Sequence, residues 1–207
     1  MPFSSLVSIS PGALSGLAVG YLLGSIPFGL LFGYAFGAGD VRKIGSHSIG
    51  ATNVLRTGNY AAAALTLLFD ALKGAAAVAF TWGYIGHDAA LFAGLSAFLG
   101  HLYPIWLKFK GGKGIAVSLG ILSALYWPVA LLALATWGVV VAVFRISSLS
   151  ALVAAVLTPV YFVAFGKDHE AFLAVILAVF VFVAHRSNIR RLLRGDEPRI
   201  GGKSPSA

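Results

Sequence analysis

The long stretches without a charged residue constrain this chain most. Residues 89–107 and 115–144 contain no Asp, Glu, Lys or Arg. About 20 apolar residues are enough to cross the hydrocarbon core of a bilayer as a helix. The apolar runs are continuous and lack the alternating pattern of membrane-barrel strands. They therefore predict an all-α membrane protein.

The overall composition agrees with a protein embedded in a membrane. The chain is 58% hydrophobic and only 11% charged, whereas about one-quarter of a typical soluble domain is charged. A formal net charge of +8 in so apolar a chain indicates basic loops on the cytoplasmic side rather than nucleic-acid binding. The absence of cysteine excludes disulfide and thiolate chemistry. The opening MPFSSLVSISPG has no basic region and no clear cleavage site, so we expect no removable signal peptide.

The positions of Lys and Arg predict the topology. Apart from Lys73 and Lys167, these residues fall into four clusters, at 42–56, 108–113, 145 and 186–203, and cytoplasmic loops hold the excess of such residues. Neighbouring clusters must then be joined by an even number of crossings. Segments 60–83 and 89–107 supply one pair, and segments 150–165 and 170–185 supply another.

The segment from 114 to 144 is too long for one crossing, and Pro128 suggests a break at Trp127-Pro128 because proline ends or kinks helices. With one crossing at 13–36 we predict a seven-transmembrane-helix bundle in which some helices are short or broken. The N-terminus would lie outside and the C-terminus in the cytoplasm. Residues 1–195 would form a single integral membrane domain, and residues 196–207 a basic cytoplasmic tail that we expect to be poorly ordered.

Four loop segments on the predicted cytoplasmic face combine basic, hydroxyl, amide and glycine residues. They read RKIGSHSIGATNVLR (42–56), GHLYPIWLKFKGGKG (100–114), RISSLS (145–150) and HRSNIRRLLRGDE (185–197). Glycines let backbone N–H groups approach an anion, and Arg and Lys bind phosphate. Carboxylates, which a catalytic Mg²⁺ would need, are few, with Asp70 as the one candidate. The segments predict one or two bound phosphates and no metal.

Individual features are less specific than the set. FKGGKG fails the P-loop pattern, because Gly114 stands where Ser or Thr should follow Lys113. Asp70 and Lys73 lie three residues apart within an apolar segment, so they form either a structural ion pair or the inner wall of the site. His101 and His185 near the inner ends of segments either bind neighbouring groups or belong to the site.

Taken together, GSHSIGATNVLR, GHLYPIWLKFKGGKG and HRSNIRRLLRGDE resemble the three motifs of the PlsY family, and LFDALKG at 68–74 extends the likeness. These are bacterial membrane glycerol-3-phosphate acyltransferases that use acyl phosphate. The resemblance implies a multi-pass enzyme of the bacterial cytoplasmic (inner) membrane whose active site faces the cytoplasm. It would transfer a fatty acyl group to the 1-hydroxyl of sn-glycerol 3-phosphate, releasing lysophosphatidic acid and inorganic phosphate in the first step of phospholipid synthesis. The implied partners are the two substrates and the bilayer, with no cofactor, nucleic acid or obligate protein partner.

The resemblance also implies site residues, motif by motif. We expect Arg56, Lys113 and His185 to be catalytic. The residues implied to bind phosphate or substrate are Ser46, Thr52, Asn53, Arg56, Gly111, Gly112, Lys113, Ser150 and Asn188. In one place the chain departs from the family, which usually has Gly-Asn after the motif serine where this chain has His47-Ser48.

The mechanism leaves one alternative open. The chain has no cysteine, and no serine has an evident His/Asp triad, so a covalent protein intermediate is not expected. The hydroxyl proton would pass either to a substrate phosphate, which we favour, or to His185.

The acyl-CoA class with a His-x-x-x-x-Asp motif is excluded, because none of the five histidines has Asp five positions later. The alternative function is a small membrane carrier for organic phosphates, although the expected internal repeat is not visible.

Overall fold

The computed structural model describes residues 10–201, and this part of the chain consists of helices and connecting turns without a strand. The prediction of an all-α protein is confirmed. The first nine residues, which bear on the signal-peptide prediction, and Lys203 of the basic tail lie outside the described residues. The helices are α1 (Pro11–Gly24), α2 (Phe28–Ala35), α3 (Ala51–Leu55), α4 (Tyr60–Tyr84), α5 (His87–Leu102), α6 (Ile115–Phe144), α7 (Ser147–Ala164), α8 (Asp168–Ala184) and α9 (Arg186–Arg194).

The described chain divides into two compact units, one ending at Leu125 and the other beginning at Tyr126. In the first unit α1, α4 and α5 pack on one another. Glycines make the close approach of α1 and α5 possible, because a Cβ on Gly20 or Gly24 would collide with the carbonyl oxygens of Ala93 or Ala97. Gly29 of α2 is packed in the same way against Ile49. This small-residue packing is typical of membrane helices.

The first predicted crossing, 13–36, is interrupted between α1 and α2 at residues 25–27. Pro27 lacks an N–H group, so the helix cannot run through this point with its hydrogen bonds intact. The carbonyl oxygen of Ser25 accepts a hydrogen bond from Trp106 Nε1 (2.9 Å), and that of Ile26 accepts one from Lys73 Nζ (2.7 Å). Both carbonyl groups at the break are therefore satisfied by side chains from other elements.

The predicted break in the long apolar segment is confirmed and lies one residue before the predicted position. Tyr126 within α6 has φ −162° and ψ 95°, which separates two helical halves. The reason is Pro128, whose ring would collide with the carbonyl group four residues earlier in a regular helix.

The described residues contain five helical segments that are long and apolar enough to cross a membrane, or six if the bent pair α8 and α9 is one span. Seven crossings and the orientation of the termini stay predictions.

In the second unit α7 packs on α8, and α9 follows α8 at an angle of 64°. Tyr161 of α7 hydrogen-bonds through its hydroxyl to Thr136 Oγ1 of α6 (2.7 Å). Beyond α9, the backbone N–H of Ile200 donates to the carbonyl of Arg145 (2.7 Å), and Arg145 Nη2 donates back to the carbonyl of Ile200 (2.9 Å). The tail is therefore bonded to Arg145 as far as Ile200, and the expectation that it is poorly ordered stays a prediction. The predicted single domain from 1 to 195 stays a prediction.

Candidate active site

The first candidate segment, residues 42–56, is organised around the side chain of Asn53. Its Nδ2 donates to the carbonyls of Val41 (2.7 Å) and Ser48 (2.8 Å), while its Oδ1 accepts from the backbone N–H of Ser46 (2.9 Å). Asn53 is only 1% exposed. Both amide hydrogens are used inside the protein, so Asn53 shapes the loop, and its predicted contact with substrate stays a prediction.

The side chain of Arg56 lies close to Gly45, in the turn that the Asn53 side chain stabilises. Gly45 has φ +54°, and a Cβ added there would lie 2.7 Å from Arg56 Nη1 and 2.5 Å from Asn53 Oδ1. Glycine is thus required both for the left-handed backbone and for the close approach of Arg56. Arg56 and Thr52 are exposed and Ser46 is half-buried, so these three residues of the segment are accessible to a ligand.

The two residues that depart from the family pattern have structural partners. His47 Nδ1 is 2.9 Å from the carbonyl of Arg42, and since a carbonyl only accepts, Nδ1 is the donor. Ser48 Oγ lies 3.0 Å from Ser46 Oγ. His47-Ser48 therefore supports the backbone of the segment and the hydroxyl of the predicted Ser46.

Arg42, although basic, is paired with Asp40, which lies just before the segment. Its Nε and Nη2 donate to the two carboxylate oxygens of Asp40 at 2.9 and 2.7 Å. The Arg42 side chain lowers the pKa of Asp40 to about 2, against a smaller opposing effect of burial. Because its guanidinium group already binds Asp40 through two nitrogens, Arg42 is less suited than Arg56 to bind a substrate phosphate.

The glycine loop of the second segment is held against the end of α5. The N–H groups of Gly111 and Gly112 donate to the carbonyls of Leu102 and His101, both at 3.0 Å. A Cβ on Gly111 would collide with the His101 carbonyl oxygen, and one on Gly112 with the His101 ring at Nε2. The glycines therefore provide space for α5, and direct phosphate binding by their backbone stays a prediction. Lys113, which follows them, is half-buried.

Beneath this loop lies a buried polar cluster. Lys73 Nζ is 2.7 Å from Asp70 Oδ1 and 3.0 Å from His101 Nδ1. Asp70 and Lys73 form an ion pair, as one of the two alternatives predicted, and the structure adds His101 to it, while a place in the wall of the site stays a prediction. In the sequence, the only sign of this cluster is that three polar residues stand within apolar segments.

In the second unit, the site residue Asn188 is bound to a carboxylate. Glu197 Oε1 accepts from Asn188 Nδ2 (2.5 Å) and Ser148 Oγ (2.7 Å), and Oε2 accepts from Arg191 Nε (2.6 Å). Burial acts against ionisation of Glu197, but the hydrogen bonds from Asn188, Ser148 and Arg191 outweigh it, so the pKa of Glu197 lies below its ordinary value. Sequence reasoning gave no role to Glu197, although it is an acid at the end of a strongly basic segment.

The predicted Ser150 is not part of that group. Its Oγ donates to the carbonyl of Ile146 (2.9 Å) within the first turn of α7, and the residue is 0% exposed. The serine that contacts Glu197 is Ser148, two residues earlier. The RISSLS segment contains three serines, and nothing in the sequence distinguishes them.

His185 stands at the junction of α8 and α9 and is 3% exposed. Its Nδ1 is 2.9 Å from the carbonyl of Val181, so Nδ1 is protonated and donates. In a neutral ring the lone pair then lies on Nε2, which is the state required of a proton acceptor. This geometry is compatible with the predicted role of His185.

An apolar furrow of about 490 Å³ runs along the second unit between α7 and α8. It is lined by Val156 and Pro159 of α7 and by α8 residues from Val175 to Val183. Its α8 side ends two residues before His185 in sequence. Among the described residues, no group of three His, Asp or Glu side chains converges in a way that would hold a metal ion.

Comparison with known proteins gives consistent matches over most of the chain. Residues 14–195 match the family described as Glycerol-3-phosphate acyltransferase. A glycerol-3-phosphate acyltransferase of Rhodopseudomonas palustris (strain BisB5) is 54% identical over 92% of this chain and 97% of its own length. One of Bradyrhizobium diazoefficiens is 56% identical over 91% of this chain and 95% of its own length.

Two solved structures share the fold. PlsY, an integral membrane glycerol 3-phosphate acyltransferase, matches in its glycerol 3-phosphate form with a TM-score of 0.86 and 35% identity, covering 91% of this chain and 96% of that one. Its lysophosphatidic acid form matches with a TM-score of 0.85, 35% identity, and coverage of 91% and 95%. The chain therefore belongs to the PlsY family of glycerol-3-phosphate acyltransferases.

Proposed function

We propose that the enzyme transfers a fatty acyl group from acyl phosphate to the 1-hydroxyl of sn-glycerol 3-phosphate. The hydroxyl oxygen attacks the acyl carbonyl carbon, the bond between that carbon and the phosphate oxygen breaks, and the hydroxyl proton leaves. The products are lysophosphatidic acid and inorganic phosphate. The observation that carries the proposal is the match to PlsY over 91% of this chain. That protein has a glycerol 3-phosphate form and a lysophosphatidic acid form, which correspond to a substrate and a product of this reaction.

The first unit supplies cations for two phosphorylated substrates. Arg56 is exposed beside the Gly45 turn, and Lys113 follows the glycine loop. Acyl phosphate is already activated, so the main tasks are to position two anions and to offset their repulsion. Ser46 and Thr52 add neutral donors, while Asn53, Gly111 and Gly112 keep the segments in shape. Arg56 and Lys113 are therefore assigned to substrate phosphate.

Residues of the second unit are assigned roles in proton transfer and substrate contact in this proposal. We favour a substrate phosphate as the acceptor of the hydroxyl proton, with His185 Nε2 as the alternative acceptor. Asn188, held by Glu197, is assigned to substrate contact. Ser150 supports the first turn of α7, and its predicted contact with substrate stays a prediction. The acyl chain is assigned to the furrow between α7 and α8, whose apolar lining suits a hydrocarbon tail.

We further propose seven crossings of the bacterial inner membrane, with the N-terminus outside and the C-terminus in the cytoplasm. The break at Tyr126 supports this count, since it divides α6 into two pieces. The basic segments support a cytoplasmic active site through the positive-inside rule. In this arrangement the acyl tail stays in lipid while the head groups meet the water-soluble alcohol.

Reconstitution tests the reaction. The purified chain in detergent, given palmitoyl phosphate and labelled glycerol 3-phosphate, should form labelled lysophosphatidic acid without coenzyme A. Palmitoyl-CoA in place of palmitoyl phosphate is the matched control and should give no product. Product with palmitoyl-CoA alone would overturn the donor assignment, and uptake of glycerol 3-phosphate into sealed vesicles without any product would favour a carrier.

The pH dependence of turnover separates the two proton acceptors. If a substrate phosphate accepts the proton, His185→Asn lowers turnover but leaves the shape of the pH profile of kcat unchanged. If His185 is the base, the acidic limb of that profile disappears in the variant. The second outcome would overturn substrate-assisted transfer.

A further inference from the structure

The buried cluster of the first unit has no role in the mechanism described so far. Lys73 Nζ lies 2.7 Å from Asp70 Oδ1, 2.7 Å from the carbonyl oxygen of Ile26 and 3.0 Å from His101 Nδ1. The side chains of Lys73, Asp70 and His101 are 2%, 1% and 3% exposed. Replacing a buried ion pair by apolar residues of similar volume is often neutral or stabilising. A purely structural contact between buried side chains therefore needs no charges. Ionisable residues within membrane segments instead indicate a functional role.

The hydrogen bond to Lys73 fixes the state of the His101 ring. With Lys73 as the ammonium partner of Asp70, which can only donate, the geometry points to His101 Nδ1 as an acceptor without a proton. The distance from Nδ1 to Asp70 Oδ1 is 3.6 Å, which is too long for a competing hydrogen bond in which Nδ1 donates. The ring is therefore neutral, with its proton on Nε2. Asp70 contributes by holding the ammonium of Lys73 in place.

The other edge of the same ring touches the glycine loop. A Cβ on Gly112 would collide with His101 Nε2 and would lie 2.7 Å from Cε1 and 3.0 Å from Cδ2. The His101 carbonyl oxygen also accepts the Gly112 N–H at 3.0 Å. His101 thus contacts Gly112 with both its ring and its backbone, one residue before Lys113.

We propose that Asp70, Lys73 and His101 are positioning residues for the phosphate site: the ion pair orients the His101 ring, the ring sets Gly112, and Gly112 sets Lys113 against the phosphate of glycerol 3-phosphate. The assignment of Lys113 to that phosphate rests on the proposed function. The cluster acts through the loop and does not itself touch substrate. A displacement of the binding group by about 1 Å is enough to reduce a rate by roughly a hundredfold.

A double variant separates positioning from simple stabilisation. Lys73→Met and Asp70→Asn each leave one buried charge or dipole unpaired, so each should lower the unfolding temperature in detergent. The double variant D70N/K73M removes both partners and should recover most of that loss. If the cluster positions the loop, the KM for glycerol 3-phosphate in the double variant stays raised about tenfold to a hundredfold. The KM for palmitoyl phosphate and the unfolding temperature should change much less.

Thr81→Val is the matched control. Thr81 is also buried in α4 and its hydroxyl donates to the carbonyl of Ala77 (2.7 Å), near the opposite end of the helix from Tyr60. The variant should keep the wild-type KM. A double variant that is stable and has a wild-type KM for glycerol 3-phosphate would refute the proposal.

Nitrogen-15 NMR of the histidine-labelled protein in detergent gives a readout that does not depend on turnover. His101 should show a neutral ring protonated at Nε2, and Lys73→Met should shift it toward a mixture of tautomers. The His101→Phe variant assigns the resonance by its loss, and if that variant does not fold, the response to Lys73→Met assigns it. A ring protonated at Nδ1 in the wild-type protein would refute the proposal. The expected tautomer without any acyl transfer would instead overturn the proposed function, so the two failures are distinguishable.

Discussion

Asn188 donates its side-chain N–H to Glu197 Oε1 at 2.5 Å, which ties a predicted site residue of α9 to a carboxylate beyond the end of that helix. Ser148 of α7 donates to the same oxygen, and Arg191 of α9 donates to the other. One nearly buried carboxylate therefore joins the start of α7, the middle of α9 and the segment that follows. The position of Asn188 depends on the charge of Glu197.

We predict that Glu197→Gln lowers both stability and turnover. The amide would place an N–H group near donors that need acceptors and would lose the charge that faces Arg191. Hydrogen bonds to charged groups contribute about 1.5–3 kcal/mol each, so thermal unfolding in detergent should shift down by several degrees. Asp196→Asn is the matched control, because Asp196 is an exposed acid next to Glu197. An unchanged unfolding temperature in Glu197→Gln would contradict the prediction.

The same carboxylate predicts a pH dependence of stability. The pKa of Glu197 is lowered in the folded protein, where hydrogen bonds from Asn188, Ser148 and Arg191 outweigh the effect of burial. Its contribution is thus complete above the ordinary glutamate pKa and is lost as the pH falls through the lowered value. Acidification across this range should lower the unfolding temperature of the wild-type protein more than that of Glu197→Gln. If the unfolding temperature of both proteins fell equally with pH, Glu197 would not be the group responsible.

Asn53→Asp should impair the enzyme more than Asn53→Ala. The amide hydrogens of Asn53 point at the carbonyls of Val41 and Ser48, and a carboxylate would set a buried negative charge against both. Loss of a buried polar partner costs about 1–3 kcal/mol, and more for a charged group. Turnover and unfolding temperature measured on both variants check the order. If Asn53→Asp were the more active of the two, the amide would not have the structural role described.

Arg56→Ala and Lys113→Ala should each lose most turnover while remaining folded. Removal of one positioned donor from a reaction centre typically lowers the rate by about a hundredfold to a thousandfold. Arg56→Lys should recover only part of the loss, because lysine lacks the bidentate fork. Lys43→Ala, which removes an exposed charge from the same segment, is the control and should stay near wild type. Near-normal turnover in either alanine variant would refute its assignment.

Gly112→Ala should raise the KM for glycerol 3-phosphate, because the added methyl group collides with the His101 ring. Gly83→Ala is the control, since a Cβ on Gly83 in α4 meets nothing within 4 Å. The control should keep wild-type kinetics. Adding His101→Ala to Gly112→Ala relieves the collision but removes the ring that positions the loop, so the KM should stay raised. A wild-type KM in Gly112→Ala would contradict the packing described for the loop.

Ala178→Phe tests the furrow as the site of the acyl chain. The new ring would fill part of the 490 Å³ space between α7 and α8, so a long chain should lose more contacts than a short one. Loss of two buried methylene contacts at about 0.8 kcal/mol each raises the KM ratio of palmitoyl to octanoyl phosphate about tenfold. Val160→Phe, on an exposed face of α7 outside the furrow, is the matched control. If Ala178→Phe left the KM ratio of palmitoyl to octanoyl phosphate unchanged, the acyl chain would bind outside the furrow.

The helical class and most element positions followed from hydropathy and charge. The segments predicted at 60–83, 150–165 and 170–185 correspond to α4 (Tyr60–Tyr84), α7 (Ser147–Ala164) and α8 (Asp168–Ala184). Apolar length and proline are local properties, so the break near Pro128 was also predictable. The interruption before Pro27 has the same local cause and could have been predicted, whereas the short α3 within the first motif depends on contacts with distant segments.

The partners of individual side chains could not be predicted in the same way. The motif resemblance named Asn53 and Asn188, but their functions as anchors follow from hydrogen bonds to Val41 and Glu197. Choosing between Ser148 and Ser150 needed the direction in which each side chain leaves α7. Such directions depend on the packed structure and are not contained in a local pattern.

A continuous helix in place of the break between α1 and α2 would not stabilise the protein, because the break exposes backbone acceptors that other side chains use. The carbonyl groups of Ser25 and Ile26 are the acceptors for the Trp106 indole and the Lys73 ammonium. Replacing Pro27 to make the helix continuous would withdraw those acceptors, and Lys73 would keep only Asp70 and His101 as polar partners. Side chains from two other elements are therefore bonded to this break, and straightening it should weaken the protein.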